Sequence, residues 1–164
     1  MRLFLLAVIL VVAGATPAAA LSGDEPYDAL QRGEFKLAAG LFYPLAEKGD
    51  ARAQYNLGLL HASGLGVGQN YQSALKWHRL AAGQGHAGAQ NQLAQMYAKG
   101  EGVPQDYIRA HMWYTVAAAS SSGGSKNELM KDRDVMASHM TPPQIQKAQE
   151  IAQRCLQSQF KKCD

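Results

Sequence analysis

Apolar residues recur along the middle of the chain at helical spacing. Ala53, Leu57, Leu60 and His61 fall at i, i+4, i+7 and i+8, and Ala89, Leu93, Met96 and Tyr97 repeat the set. This spacing places one side of each segment on a buried face and predicts helices over 51–63 and 87–99. The strings GLGVGQN (64–70) and GEGVPQD (100–106) then interrupt the pattern. Their glycines accept the left-handed conformation that ends helices. Asn70 and Asp106 are suited to cap the next helix, since their side-chain oxygens take up free N–H groups. A second stripe follows at Tyr71, Ala74, Trp77 and Ala81, and again at Tyr107, Ala110, Trp113 and Ala117.

The two halves of this pattern are 36 residues apart. Residues 51–86 and 87–122 share 14 identities without a gap, among them Gln54/Gln90, Gly66/Gly102, Gln69/Gln105 and Trp77/Trp113. Residues 27–50 match the second half of the unit, with Ala38 standing 36 before Ala74. A fixed period of this length marks a solenoid of stacked helix pairs. Terminal units of solenoids differ from the middle ones. At the front, a short helix over 27–31 precedes a longer one over 34–48, in which Pro44 should bend the chain against the carbonyl of Gly40. At the back, SSSGGS (120–125) reads as a flexible joint before capping helices over 126–160. Thr141, Pro142 and Gln144 mark the start of the last of these, expected to run to about Phe160.

Composition agrees with this. Beyond residue 20 the chain has nine β-branched residues, too few for a sizeable sheet, whereas Ala occurs 27 times in the whole. The expected fold class is all-α. The formal net charge of +3 is too small for a nucleic-acid-binding stripe. Arg2, an apolar run over 3–12 and small residues at Ala18 and Ala20 have the layout of a secretory signal over 1–20. The run is too short to span a membrane. Cleavage after Ala20 leaves 21–164 as one domain, with no membrane association once the signal is gone.

The string from Ala46 to Ala119 resembles Sel1-like repeats, α/α units related to tetratricopeptide repeats. It carries A-x-A-Q-x-x-L-G-x-x-[YH]-x-x-G-x-G-V-x-x-[DN]-Y-x-x-A-x-x-W nearly twice over, with Ala94 where Gly58 stands in the first unit. The resemblance covers 34–122 well. It implies a right-handed superhelix that binds proteins or peptides, and it implies no chemistry by itself. With the export signal, it points to a Gram-negative periplasm. Some cysteine-rich secreted relatives are described as binding or hydrolysing β-lactams, so a hydrolase of a β-lactam or cell-wall peptide is the alternative reading.

Motifs with chemical connotations are weak here. Gly83–Gly88 spells GxGxxG but follows a helix and falls in an inter-repeat turn, so no dinucleotide cofactor is expected. Ser73-Ala74-Leu75-Lys76 spells S-x-x-K, and Ser158–Lys161 repeats it, with no S-D-N or K-T-G partner. The histidines at 61, 78, 86, 111 and 139 lack metal-ligand spacing. His61 and His78 align with Tyr97 and Tyr114, which assigns them half-buried ring positions. Trp77 and Trp113 share one repeat position and are expected in the core.

In stacked helix pairs the first helices line the concave surface. Positions that vary between units there are free to select a partner: Tyr55, Asn56 and Leu59 in one unit, Asn91, Gln92 and Gln95 in the next. An exposed Tyr and Leu beside amides suit an extended peptide. Cys155 and Cys163 are eight residues apart, about 12 Å on a straight helix. A disulfide therefore requires the chain to leave the helix and double back. Cysteine-rich relatives place a C-x7-C pair at the matching turn, and export favours oxidation. A disulfide pinning the C-terminal tail is the expectation.

Overall fold

A computed structural model describes residues 24–163. The expected signal and its cleavage site lie outside these residues. Eight helices and no strand occur among them: α1 (Glu25–Gln31), α2 (Phe35–Glu47), α3 (Ala51–Ser63), α4 (Tyr71–Ala82), α5 (Ala87–Lys99), α6 (Tyr107–Ala119), α7 (Gly123–Ala137) and α8 (Pro142–Gln157). The pairs α3/α4 and α5/α6 pack most closely, and α2/α3 and α4/α5 join one pair to the next. The architecture is an α/α solenoid.

Each repeated residue has a physical task. Asn70 Oδ1 accepts from Ser73 N at 2.9 Å, and Asp106 Oδ1 accepts from Arg109 N at 3.0 Å, so both cap as the sequence indicates. Gly64 and Gly100 end α3 and α5 at φ 74° and 75°, where a Cβ would be strained. Gly66 and Gly102 let the loop touch the preceding repeat. A Cβ on Gly102 would stand 2.8 Å from the Tyr71 carbonyl oxygen, and one on Gly66 would fall into the backbone of Phe35. Gln69 and Gln105 close the loop by donating to the carbonyls of Ala62 and Ala98 at 2.9 and 2.7 Å. Gln54 and Gln90, both buried, donate across the repeat boundary to the carbonyls of Ala46 and Ala82. These carbonyls lie at helix C-termini, where backbone acceptors have no intrahelical partner. Each also accepts a backbone N–H, from Gly49 and from Gly85, so the glutamine adds a second bond that ties one repeat to the next.

Trp77 and Trp113 are 8% and 4% exposed and belong to the core. That core has two parts: Trp77 packs with α1, α2 and α3, whereas Trp113 packs in a larger cluster spanning α4 to α8. The ring positions assigned to His61 and His78 are more deeply buried than expected, at 8% and 0% exposure.

α2 runs from Phe35 to Glu47 with Pro44 inside it. The C-terminal end differs from the sequence reading in two respects. α7 begins at Gly123, so half of the expected joint is helical. α7 and α8, the two capping helices, each pack chiefly on α6. α8 ends at Gln157, short of Phe160. Gln159 and Phe160 adopt φ 52° and 66°, and the chain turns back there. Phe160 N donates to the Cys155 carbonyl at 2.9 Å. The reversal brings Cys155 and Cys163 to disulfide distance, with Cα atoms 4.4 Å apart.

Candidate functional site

The six residues singled out for partner selection lie on the first helices of their pairs, α3 and α5, and all six are half-buried. Tyr55 and Leu59 are therefore less free than the exposed residues expected. Tyr55 stacks on His86 with ring centroids 4.6 Å apart and an interplanar angle of 27°. It also leans on His78 at 5.9 Å. Gly88 admits this packing, since a Cβ there would meet the Tyr55 ring at 3.2 Å. Burial pushes the Tyr55 phenol above its ordinary pKa. Asn56 turns its amide onto the Arg52 carbonyl at 2.8 Å. Gln95 donates to Asn91 Oδ1 at 3.4 Å.

Asn91 reaches a cavity. The space between α5 and α7 has a volume of about 300 Å³ and is lined by Asn91, Ser121, Ser125, Glu128 and Asp132, with Leu129 at its apolar wall. Among the described residues two carboxylates and no cationic side chain face it. The sequence reading missed its acidic half. α7 follows α5 by 36 residues (123 against 87), the spacing that places Glu128 and Asp132 on the next first helix.

Two polar contacts recur at the repeat spacing with exchanged chemistry. Tyr43 and His61 share a hydrogen bond of 2.8 Å between the hydroxyl and Nε2. One period later Arg79 donates to the Tyr97 hydroxyl at 2.7 Å. Both link the second helix of one repeat to the first helix of the next. His78 sits against Gly58, where a Cβ would collide with its ring, and neither ring nitrogen has a hydrogen-bond partner among the described residues. Burial, with a smaller contribution from His86, depresses its pKa to about 4, so it is neutral near pH 7. Burial likewise lowers His111, with Arg133 adding to the effect. Each of these histidines packs; among the described residues no cluster of three His, Cys, Asp or Glu side chains is placed to hold a metal ion.

The remaining motifs are local structure. Gly83–Gly88 is the α4–α5 turn and the start of α5, with His86 Nδ1 accepting from Ala89 N at 3.2 Å. Ser73 opens α4, its N–H held by Asn70, and among the described residues no hydrogen bond joins its hydroxyl to Lys76. Ser158 belongs to the C-terminal turn, donating to the Cys155 carbonyl and accepting from Lys162 N.

The Sel1 repeat family model matches residues 51–86 and 87–122, the same two units and boundaries that the internal repeat defines. The chain carries two Sel1 repeats. A solved structure of a protective antigen of uropathogenic Escherichia coli strains, described as displaying an SLR fold, is similar to it at 29% identity and a TM-score of 0.73. That match covers 82% of this chain and 30% of the antigen. A Sel1 repeat protein from Oxalobacter formigenes is also similar, at 29% identity and a TM-score of 0.58, over 70% of this chain and 50% of its own. This chain thus spans no more than half the length of either neighbour. No curated protein sequence matches it. Among the described residues no helix is long and apolar enough to cross a membrane.

Proposed function

We propose that this Sel1-repeat protein is an interaction module of the bacterial cell envelope, exported by its N-terminal signal, that holds an extended peptide along the concave face of α3, α5 and α7. The observation that carries this reading is the cavity beside Asn91. It is lined by Asn91 and Ser121 and by Ser125, Glu128 and Asp132 of α7. The amides of Asn56, Asn91, Gln92 and Gln95 match the alternating donors and acceptors of a peptide backbone. The two carboxylates of the cavity select a basic side chain there. Tyr55 acts as a wall held by His86. The cysteine pair at disulfide distance fits an oxidising compartment.

The hydrolase reading has no comparable support, since among the described residues no base is hydrogen-bonded to Ser73. Turnover of a chromogenic β-lactam that disappears in Ser73→Ala would favour it over the module.

Site-specific photocrosslinking in the periplasm tests the proposal. A benzophenone amino acid at Gln92 or Asn56 should capture a protein adduct. The same probe at the exposed Lys147 of α8 should not. Equal capture from all three positions, or capture from Lys147 alone, would remove the concave face from consideration.

A further inference from the structure

A second concavity, sharing no lining residue with the first, lies against α4. It has a volume of about 890 Å³ and runs from the C-terminal end of α2 across α4 to the C-terminal tail. Trp77 and Leu80 form its floor, and Leu80 is 44% exposed. Phe160 forms the far wall. It seats against Gly85, where a Cβ would stand 2.8 Å from its ring. Phe160 and Lys161 lie inside the loop between Cys155 and Cys163, so this wall is held by the cysteine pair. Three cations line the concavity, Lys76, Arg79 and Lys161, against one carboxylate, Glu47.

The next repeat shows what such a face accepts. Lys76 and Leu80 correspond, 36 residues on, to Met112 and Val116 of α6. Both of the latter are 0% exposed, within the same buried cluster as Ala152 and Cys155 of α8. α6 and α8 pack directly on each other. The chain's own amphipathic helix thus packs on α6, whereas among the described residues no helix covers the matching face of α4.

We infer that this face of α4, walled by the Cys155–Cys163 tail, docks an amphipathic helix of a partner protein with acidic residues along its flank. The helix supplies apolar side chains to Leu80, Trp77 and Phe160, in the way α8 supplies Ala152 to its cluster. Its carboxylates face Lys76 and Lys161. α4 has 12 residues. That is about 18 Å, or three turns, and sets the length of helix that fits. Because one wall belongs to the tail, binding is coupled to the oxidation state of the cysteines.

Fluorescence anisotropy with a labelled amphipathic Leu/Ala/Glu helix of about three turns tests this, with three control peptides: a Lys-for-Glu counterpart, a proline-interrupted counterpart and an extended basic peptide. The oxidised protein should bind the acidic helix at least tenfold more tightly than either of the first two. Lys76→Glu combined with Lys161→Glu should weaken binding at least tenfold, and reduction by dithiothreitol several-fold, with helical circular dichroism unchanged in the charge variant. Equal affinity for the acidic and basic helices, or an unaffected charge variant, overturns the inference; tight binding of the proline-interrupted peptide overturns the helical occupant. No loss on reduction overturns the role of the tail. Glu128→Lys combined with Asp132→Lys should leave helix binding intact while abolishing binding of the extended basic peptide, so failure here and failure of the concave-face reading are separately visible.

Discussion

Gly58→Ala is the sharpest test of how the first repeat is packed. In an exposed helix interior this change stabilises by about 1 kcal/mol, because Ala loses less backbone entropy than Gly. Gly40 in α2 is such a site: an added Cβ meets nothing within 4 Å. Gly58, also mid-helix, is the opposite case. Its Cβ would collide with the ring of His78, which is 0% exposed. The ring is hemmed in by Tyr55, which is itself stacked on His86. Overpacking a closed core costs about 1–3 kcal/mol. The net effect at Gly58 is a loss of about 1–2 kcal/mol, against a gain of up to about 1 kcal/mol at Gly40. With a urea m-value of about 2 kcal/mol/M, the two midpoints should differ by about 1 M, in opposite directions from wild type. Adding His78→Ala should recover part of the loss, because the methyl group then enters the space vacated by the ring, giving a coupling energy of about 1 kcal/mol. A Gly58→Ala protein that is stabilised as Gly40→Ala is would refute the packing account.

Trp113→Ala should lower stability in a urea titration by about 3–5 kcal/mol, as large-to-small core changes do, whereas Tyr55→Ala, which removes a half-buried ring stacked on His86, should cost about 1–2 kcal/mol. Stability should fall as pH drops from about 6.5 towards 4, because between these values the unfolded chain protonates His78 and the folded one does not; a shift of this size corresponds to about 3 kcal/mol, and His78→Phe should flatten the profile in that window. Reducing the Cys155–Cys163 pair should cost about 2–3 kcal/mol by the loop-entropy relation for so short a loop, read as a lower urea midpoint that reoxidation restores.

The fold was legible because the repeat states each structural task twice. Asn70 and Asp106, Gly64 and Gly100, and Trp77 and Trp113 could be assigned from spacing alone, and the structure places each pair in the same local role. The C-terminal end was less legible because it has no second copy. Gly123 and Gly124 read as a joint, since glycine disfavours helix interiors; at the first turn that cost is smaller, and α7 starts there. The reversal at Gln159 and Phe160 uses left-handed backbone in two residues that are not glycine, for which no local signal exists. At the candidate site the sequence located the first helices and Asn91, but not the stack of Tyr55 on His86. Periodic spacing places residues on a face of a helix. It carries no information on contacts made with the adjoining turn.

Positions that differ between the two repeats carry the individual character of the molecule, and they change in linked sets. Where Tyr43 meets His61, Arg79 meets Tyr97. In each contact a hydroxyl is matched to a nitrogen group, so the bond survives the exchange although neither residue is kept. Gly58 and His78 give way to Ala94 and Tyr114, which replaces a glycine that makes room for a ring with an ordinary helix former. A face of the second helix changes in the same linked manner. Met112 and Val116 are apolar on α6, on which α8 packs, and the matching positions on α4 are Lys76 and the half-exposed Leu80. Leu80 and the edge of Trp77 lie between Lys76, Arg79 and Lys161. That combination, apolar in the middle and basic at the rim, is what the inferred acidic amphipathic helix would match.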